Sequence, residues 1–206
     1  MGLYAKYVLP RLIDLVMRGK AQQDERAKVV PLASGVTLEI GSGSGLNAPF
    51  FADSVERVYA LDPSLASWRL GRSRLQAARV PIRFVAAAGE AIPVRPGVID
   101  TVVMTWTLCT IPDAPAALRE IRRVLKPGGR LVFIEHGRSP DASVRRWQER
   151  LNPVWRPLAG GCNLDRPIDA LVTDAGFRIT RLESGYGAGP RPLDYLYRGI
   201  AEPEAG

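Results

Sequence analysis

Residues 36–40 form a short apolar run that ends in Gly41-Ser42-Gly43-Ser44-Gly45, and this junction constrains the fold more than any other part of the chain. Glycine reaches positive φ without penalty and lets another group approach the backbone closely. An apolar run feeding such a turn reads as a buried strand leading into a helix, the opening unit of a doubly wound α/β sheet. In such sheets ligands sit beyond the carboxyl ends of the strands, where the strand order reverses. The rest of the chain continues the alternation. Strands are expected at 55–61 (stopped by Asp62-Pro63), 82–87, 99–105 and 130–134, with later ones at 177–182 and 193–201. Helices are expected at 64–79, 114–125 (halted by Lys126-Pro127-Gly128-Gly129), 142–151 and 167–175. The near-continuous apolar character of 99–105 suits a strand covered on both faces. Ahead of the alternation, 3–18 has helical periodicity, with Leu9, Leu12, Ile13, Val16 and Met17 on one face opposite Arg11, Asp14 and Arg18. A polar run from Lys20 to Lys28 then leads to Pro31. The Pro/Gly-rich stretches 153–161 and 185–192 read as loops. At 206 residues and 46% hydrophobic content, this is one domain with a sizeable core, and no domain boundary is placed.

Composition excludes several classes. No stretch approaches the roughly 20 apolar residues of a membrane-spanning helix. Pro10, Arg11, Asp14 and Arg18 break up any apolar N-terminal run, which argues against a secretory signal. Two cysteines, Cys109 and Cys162, are too few for a disulfide scaffold and suit a reducing compartment. No His or acid is placed with either cysteine to suggest a nucleophile, and no His/Cys/Asp cluster has metal-ligand spacing, so no metal is expected. The net charge of +7 comes from 24 arginines and four lysines against 21 acids. The clusters at Arg69, Arg72 and Arg74, at Arg119, Arg122 and Arg123, and at Arg145, Arg146 and Arg150 fall on expected helices, where solvated outer faces account for them.

Two ligand types compete for the glycine turn. The dinucleotide fingerprint G-x-G-x-x-G would need glycine at Leu46. The spacing here is instead G-x-G-x-G, preceded by Glu39. Asp62 ends the next strand 21 positions after Gly41, where an acid can accept hydrogen bonds from a ribose diol. His136, the single histidine, follows the fifth strand on the ligand edge, and its ordinary pKa range suits a general base.

Leu38-Glu39-Ile40-Gly41-Ser42-Gly43-Ser44-Gly45 resembles motif I of the class I S-adenosylmethionine (SAM)-dependent methyltransferases, of the methyltransferase type 11 or ubiquinone-methyltransferase-like kind. Further landmarks follow in family order: Asp62, Gly89-Glu90, Asp100 with the run to Met104, Thr105-Trp106-Thr107-Leu108, and Val124-Leu125-Lys126-Pro127-Gly128-Gly129. They cover 35–136. A narrower resemblance extends over nearly the whole chain. Thr107-Leu108-Cys109, Glu135-His136, Trp147-Gln148, Pro153-x-Trp155 and Gly161-Cys162-x-Leu164 look like the mammalian alkyl thiol methyltransferases, and Met1-Gly2-Leu3-Tyr4 with Asn47 looks like bacterial relatives of that group. The mammalian Gly-Asp-Gly-Cys-Cys stretch is here Ala159-Gly160-Gly161-Cys162-Asn163, and the hydrophobic anchor of that group is not matched.

The resemblance implies a Rossmann-like, doubly wound, mostly parallel seven-stranded sheet with helices on both faces. It implies an N-terminal helical lid or cap over 1–30 and an acceptor-side insertion over 137–166. The cofactor would be SAM, with S-adenosylhomocysteine as product. Its contacts would fall on Glu39, Gly41, Ser42, Gly43, Gly45, Asn47, Asp62, Pro63, Gly89, Glu90, Thr105 and Trp106. Glu39 either binds the amino group or caps the turn, and Glu90 either flanks the adenine or is a surface acid. His136 and Glu135 are the candidate catalytic pair. Neighbours on a strand point to opposite faces, so one of the two is expected to face the pocket. Tyr4, Tyr7, Leu108, Trp147, Trp155 and Cys162 are candidate acceptor-pocket residues, with core packing the plainer reading for the tryptophans and for Cys109. The acceptor is expected to be a small apolar molecule, most specifically a thiol; a lipid amine (phosphatidylethanolamine) or a quinone-pathway ring is the alternative, and a non-catalytic SAM-binding module the non-enzyme reading. Nucleic acid is not expected as a partner. A cytoplasmic monomer is favoured, with peripheral contact to an anionic membrane through 3–18 left open.

Overall fold

The computed structural model describes residues 4–204. Gly35–Ile40 (β1), Val55–Leu61 (β2), Ile82–Val85 (β3), Ile99–Thr105 (β4), Leu125–His136 (β5), Phe177–Tyr186 (β6) and Tyr195–Pro203 (β7) form one sheet in the order β3-β2-β1-β4-β5-β7-β6. The first five are parallel, and β7 inserts antiparallel between β5 and β6. The order reverses between β1 and β4, which places the switch point at the glycine turn. The expected fold class holds.

Strand alternation divides the core into two. Leu38, Ile40, Val102, Met104, Leu131 and Phe133 pack on one face with Ala114–Val124 (α4) and Ile168–Asp174 (α6). Val58, Val103, Val132 and Ile134 face the other way, toward Val29, Val30 and Phe51. Glu39 pairs in register with Val103. A carboxylate therefore sits in a row otherwise apolar, at the carboxyl end of the central strand.

Several local expectations are corrected. Lys20–Val29 is a helix (α2), although its sequence carries no apolar stripe. It is held by the i,i+4 pair Lys20–Asp24, by Glu25–Arg198 and by the buried Arg26. The glycine turn leads not into an α-helix but into tight turns and a short 3-10 segment, Ala48–Phe50. The tight turns take up most of the 14 residues, 41–54, between β1 and β2, and Pro49 sits at the start of the short segment, where its missing N–H costs nothing. The helix expected over 142–151 runs on as Ala142–Leu158 (α5), through Pro153 and Pro157. Pro153 leaves the carbonyl of Glu149 without its helical donor, but Glu149 is exposed and water can serve it. His136 ends β5 rather than following it, pairing with Leu196.

The first helix is a π-helical turn at Tyr4–Val8 followed by Leu9–Met17 (α1). Asp14 is its buried residue, whereas Leu12, Ile13, Leu15 and Val16 are exposed. The helix docks on the domain through Asp14, with Leu9 and Ile13 approaching Gly160, while Leu12, Leu15 and Val16 face outward. The domain surface offers it a cation and a hydroxyl rather than an apolar groove.

Candidate active site

Gly41, Gly43 and Gly45 all adopt positive φ, at 72°, 53° and 70°. A Cβ at Gly41 would lie 2.3 Å from Thr107 Oγ1, and one at Gly45 would lie 2.8 Å from Leu75. These two glycines let the turn close onto the segment after β4 and onto Leu65–Gln76 (α3). At Gly43 the nearest atom would be 3.9 Å away, so this face of the turn is open. The turn is pinned to the end of β2: Gly41 and Ser42 donate to Leu61 O at 2.8 and 3.1 Å, and Gly43 N donates to Asp62 Oδ2 at 2.8 Å. Ser64 N donates to Asp62 Oδ1 at 2.7 Å. These backbone donors, expected to meet the ligand, are thus spent within the protein. Asp62 shapes the turn, and each of its oxygens keeps a lone pair for a further donor. Burial raises its pKa, opposed by the two backbone N–H groups.

Asn47 links three elements. Arg26 Nε donates to its Oδ1 at 2.9 Å, and its Nδ2 donates to Glu39 Oε1 at 2.8 Å and to Thr105 Oγ1 at 3.0 Å. Burial pushes the Glu39 carboxyl up to about 7, against the opposing pull of Asn47 and Arg26. Burial likewise draws the Arg26 guanidinium down to about 10. Among the described residues, Glu39 Oε2 and Ser42 Oγ are buried without a hydrogen-bond partner. Buried polar atoms are nearly always paired. Two unpaired ones beside an open glycine turn fit a polar ligand, an ammonium suiting Glu39.

After β4 the chain makes a strained turn, with Trp106 at φ 50° beneath the Arg26 guanidinium at 4.9 Å. Glu135 stabilises this turn. Its Oε1 accepts from Thr107 N at 2.8 Å and Leu108 N at 2.9 Å, and its Oε2 accepts from Cys109 N at 3.2 Å. Burial pushes its carboxyl up to about 7 against those three donors. Glu135 is fully buried and does not face an acceptor; it is a positioning residue for 107–109.

Sequence spacing shows no ligand cluster, yet the fold assembles one. Sγ of Cys109, Sγ of Cys162 and a ring nitrogen of His136 all lie within 4.8 Å of one another. Cys162 Sγ is 3.8 Å from Nδ1 and 3.7 Å from Nε2 of His136. Both cysteines are buried. The Cys109 thiol next to Cys162 lowers the latter to about 5, with His136 adding to the effect, while Cys109 is raised. Burial works against charge on His136, but Cys162 and Glu135 raise it overall. The expectation that no His accompanies either cysteine is therefore corrected. Residues 109, 136 and 162 are too far apart in sequence for any spacing rule to find.

The other expected site residues are dispersed. Leu108 is fully buried in the larger core, and Gly89 packs against Ile40, Ile111 and Ala117. Glu90 lies 3.5 Å from Asp113 N, at the start of α4, and Pro63 is exposed. Trp147 is exposed beneath Arg150, so it does not line an enclosed pocket. Trp155 is half-buried beside the cysteine pair, its Nε1 without a hydrogen-bond partner. Tyr4 donates to Leu158 O at 2.9 Å, and Tyr7 is exposed. The sequence reading missed Asp14, Arg26, Ser44 and Arg74. Asp14 Oδ1 accepts from Ser44 Oγ at 2.6 Å and from Arg74 Nη1 at 2.8 Å, and Arg18 also pairs with Asp14. This clasp fastens α1 over the glycine turn. A cleft of about 280 Å³, lined by residues including Met17, Arg26, Leu46 and Arg74, opens beside it.

A reversed parallel sheet, an acid-flanked glycine turn at its switch point and an acid closing β2 together define a class I methyltransferase domain. Residues 38–133 match the methyltransferase domain family. It is 36% identical over 150 residues to the human thiol S-methyltransferase TMT1A, a match covering 71% of this chain and 61% of that protein. Against human thiol S-methyltransferase TMT1B it is 35% identical over 163 residues, covering 77% and 65%. A demethylmenaquinone methyltransferase of Clavibacter sepedonicus is 34% identical over 118 residues, covering 57% and 48%. The chain thus spans under two thirds of the length of these curated relatives. Among solved structures, a SAM-dependent methyltransferase from Aquifex aeolicus superposes with TM-score 0.65 at 17% identity, covering 93% of this chain and 97% of that one. The [4+2]-cyclase SpnF does so with TM-score 0.68 at 19% identity, covering 89% and 80%. No helix among the described residues is long and apolar enough to cross a membrane.

Proposed function

We propose that the chain is a SAM-dependent methyltransferase whose acceptor is a small apolar thiol. The observation that carries the cofactor is the buried, partnerless Oε2 of Glu39 beside the open face of Gly43. In this reading Glu39 takes the ammonium of SAM, Ser42 Oγ helps hold the methionine part, and Asp62 takes the ribose hydroxyls with its remaining lone pairs. Bound SAM supplies an electrophilic methyl group on a sulfonium. The protein supplies alignment and the acceptor's protonation state. The turn 105–109 does the aligning. Thr105 meets Asn47, Thr107 meets Gly41, and Cys109 meets the cysteine–histidine group. A thiol must shed its proton to attack, and this group provides the polar environment at that end of the turn. The names of the thiol S-methyltransferase relatives support the thiol.

A turnover screen with SAM against small thiols, phosphatidylethanolamine vesicles and quinone precursors tests the reading. Methyl transfer to thiols alone is expected. Transfer only to the amine or ring acceptor overturns the thiol, and binding of SAM without transfer to any of them supports a binding module instead.

The outward stripe of α1 also favours a membrane-surface location. Leu12, Leu15 and Val16 are exposed, and so are Val154 and Leu158 at the end of α5. The two helices adjoin, since Tyr4 donates to Leu158 O and Gly160 approaches Leu9. Arg146, Arg150 and Arg156, on the same helix as Val154 and Leu158, are exposed as well. Exposed apolar side chains together with arginines suit an anionic lipid surface.

A further inference from the structure

We infer that Cys109, His136 and Cys162 form a zinc site whose fourth position takes the acceptor thiol, an inference that rests on the thiol reading above. Zinc favours four ligands, and catalytic sites supply three from the protein and leave one open. Two thiolates and one imidazole are such a set. A tetrahedral ion with bonds of roughly 2.3 Å to sulfur and 2.0 Å to nitrogen separates its ligand atoms by roughly 3.5–3.8 Å. The three side chains already lie within 4.8 Å of one another, with Cys162 Sγ 3.7 Å from His136 Nε2. A small contraction and a turn of the imidazole complete the site.

The surroundings hold the ligands as a metal site requires. Cys109 is fixed on both sides of its peptide. Its N–H donates to Glu135, and its carbonyl accepts from Asn163 N at 2.9 Å and Asn163 Nδ2 at 2.8 Å. Asn163 follows Cys162, so the two cysteine segments are tied directly together. His136 is anchored in β5 by pairing with Leu196. Trp155 directs its buried indole N–H toward Cys162, as a donor to a metal-bound thiolate would be. Arg166 donates to Leu108 O next to Cys109, placing a cation beside an otherwise anionic cluster.

The chemistry balances. An acceptor thiol entering the fourth position loses its proton to solvent, because a zinc-coordinated thiol is deprotonated. Its sulfur then attacks the methyl carbon in line. The new C–S bond forms as the bond to the sulfonium breaks, and that electron pair stays on the sulfur of S-adenosylhomocysteine. The product is a neutral thioether, a weaker ligand than the thiolate, and it leaves.

Cobalt(II) titration of the reduced, chelator-treated full chain tests this. One Co²⁺ per chain with the visible absorption of tetrahedral thiolate coordination is expected, and benzenethiol should shift that spectrum. C109S and C162S should each weaken Co²⁺ binding by tenfold or more while keeping the thermal shift caused by S-adenosylhomocysteine, which reports an intact fold. Methyl transfer to benzenethiol should fall on chelation and return with Zn²⁺. Absence of Co²⁺ binding, or binding undiminished in both variants, overturns the site. If the metal-free chain still methylates benzenethiol, the zinc inference falls and the thiol reading stands. Co²⁺ bound with a spectrum that benzenethiol leaves unmoved overturns the fourth-position assignment.

Discussion

Asn47 Nδ2 donates to Glu39 Oε1 at 2.8 Å, and the opposite oxygen of that carboxylate has no partner among the described residues. Half of a buried carboxylate is thus held in place and half is left for a ligand. Burial raises its pKa from 4.5 to about 7. The folded chain therefore binds this proton more tightly than the unfolded chain does. The stabilisation is fully present below pH 4.5 and is lost as pH rises through 7. The span corresponds to about 3 kcal/mol at most. Carboxylates with lowered pKa, such as Asp14 and Asp100, slope the other way, so the measurable quantity is the difference from E39Q. E39Q should gain stability relative to wild type between pH 4.5 and 7 in denaturant titrations. Wild-type affinity for S-adenosylhomocysteine should rise across pH 7 as Glu39 ionises, and E39Q should bind at least tenfold more weakly. A flat difference across pH would refute the assignment of this proton to Glu39.

Asp62 has two duties, holding Gly43 and Ser64 by their N–H groups and receiving the ribose. D62A should weaken S-adenosylhomocysteine binding tenfold or more, since a charged contact is worth about 1.5–3 kcal/mol. It should also lower the melting temperature of the ligand-free chain, because two backbone donors lose their acceptor. Calorimetric titration and thermal unfolding read the two effects separately. Unchanged affinity in D62A would sink the ribose role.

The sequence makes the sheet legible for a physical reason. Strands buried on both faces are apolar along most of their length, as 99–105 is, and alternate glycines suit a turn where positive φ is needed. Glu39, Gly41 and Asp62 are legible because each departs from that apolar background at a strand end. Arg26 is not, because it sits among charged residues such as Asp24, Glu25 and Lys28 and nothing local tells a buried arginine from a solvated one. The Cys109–His136–Cys162 group was invisible because three chain segments create it. For α1, periodicity reports which side is apolar but not which side docks, and here Asp14 on the polar side makes the buried contact.

The Asp14 clasp makes the first helix separable from the rest of the fold. D14A removes the acceptor of Ser44 Oγ and Arg74 Nη1, leaving Arg74 beside a buried hydroxyl without its counter-ion. A loss of about 1–3 kcal/mol in the anchoring of α1 is expected. Hydrogen exchange should accelerate across Leu9–Met17 and remain unchanged in Ala114–Val124, which makes no contact with the clasp. R74Q should reproduce the pattern in milder form. Equal acceleration in both helices would mean that Asp14 supports the whole domain rather than the cap.

The outward stripe of α1 and the end of α5 should bind vesicles containing phosphatidylglycerol at low salt and release them as salt rises, since the arginines act through screened charge. Vesicles of phosphatidylcholine alone should bind much less. Leu15 and Val154 are among the most exposed apolar residues of the patch, at 69% and 64%. L15D and V154D each remove apolar contact and add a negative charge without disturbing the buried core. Each should reduce cosedimentation severalfold while leaving the melting temperature and S-adenosylhomocysteine affinity near wild type. Binding that survives both substitutions, or wild-type chain that ignores anionic vesicles at low salt, would remove lipid as the occupant of this surface.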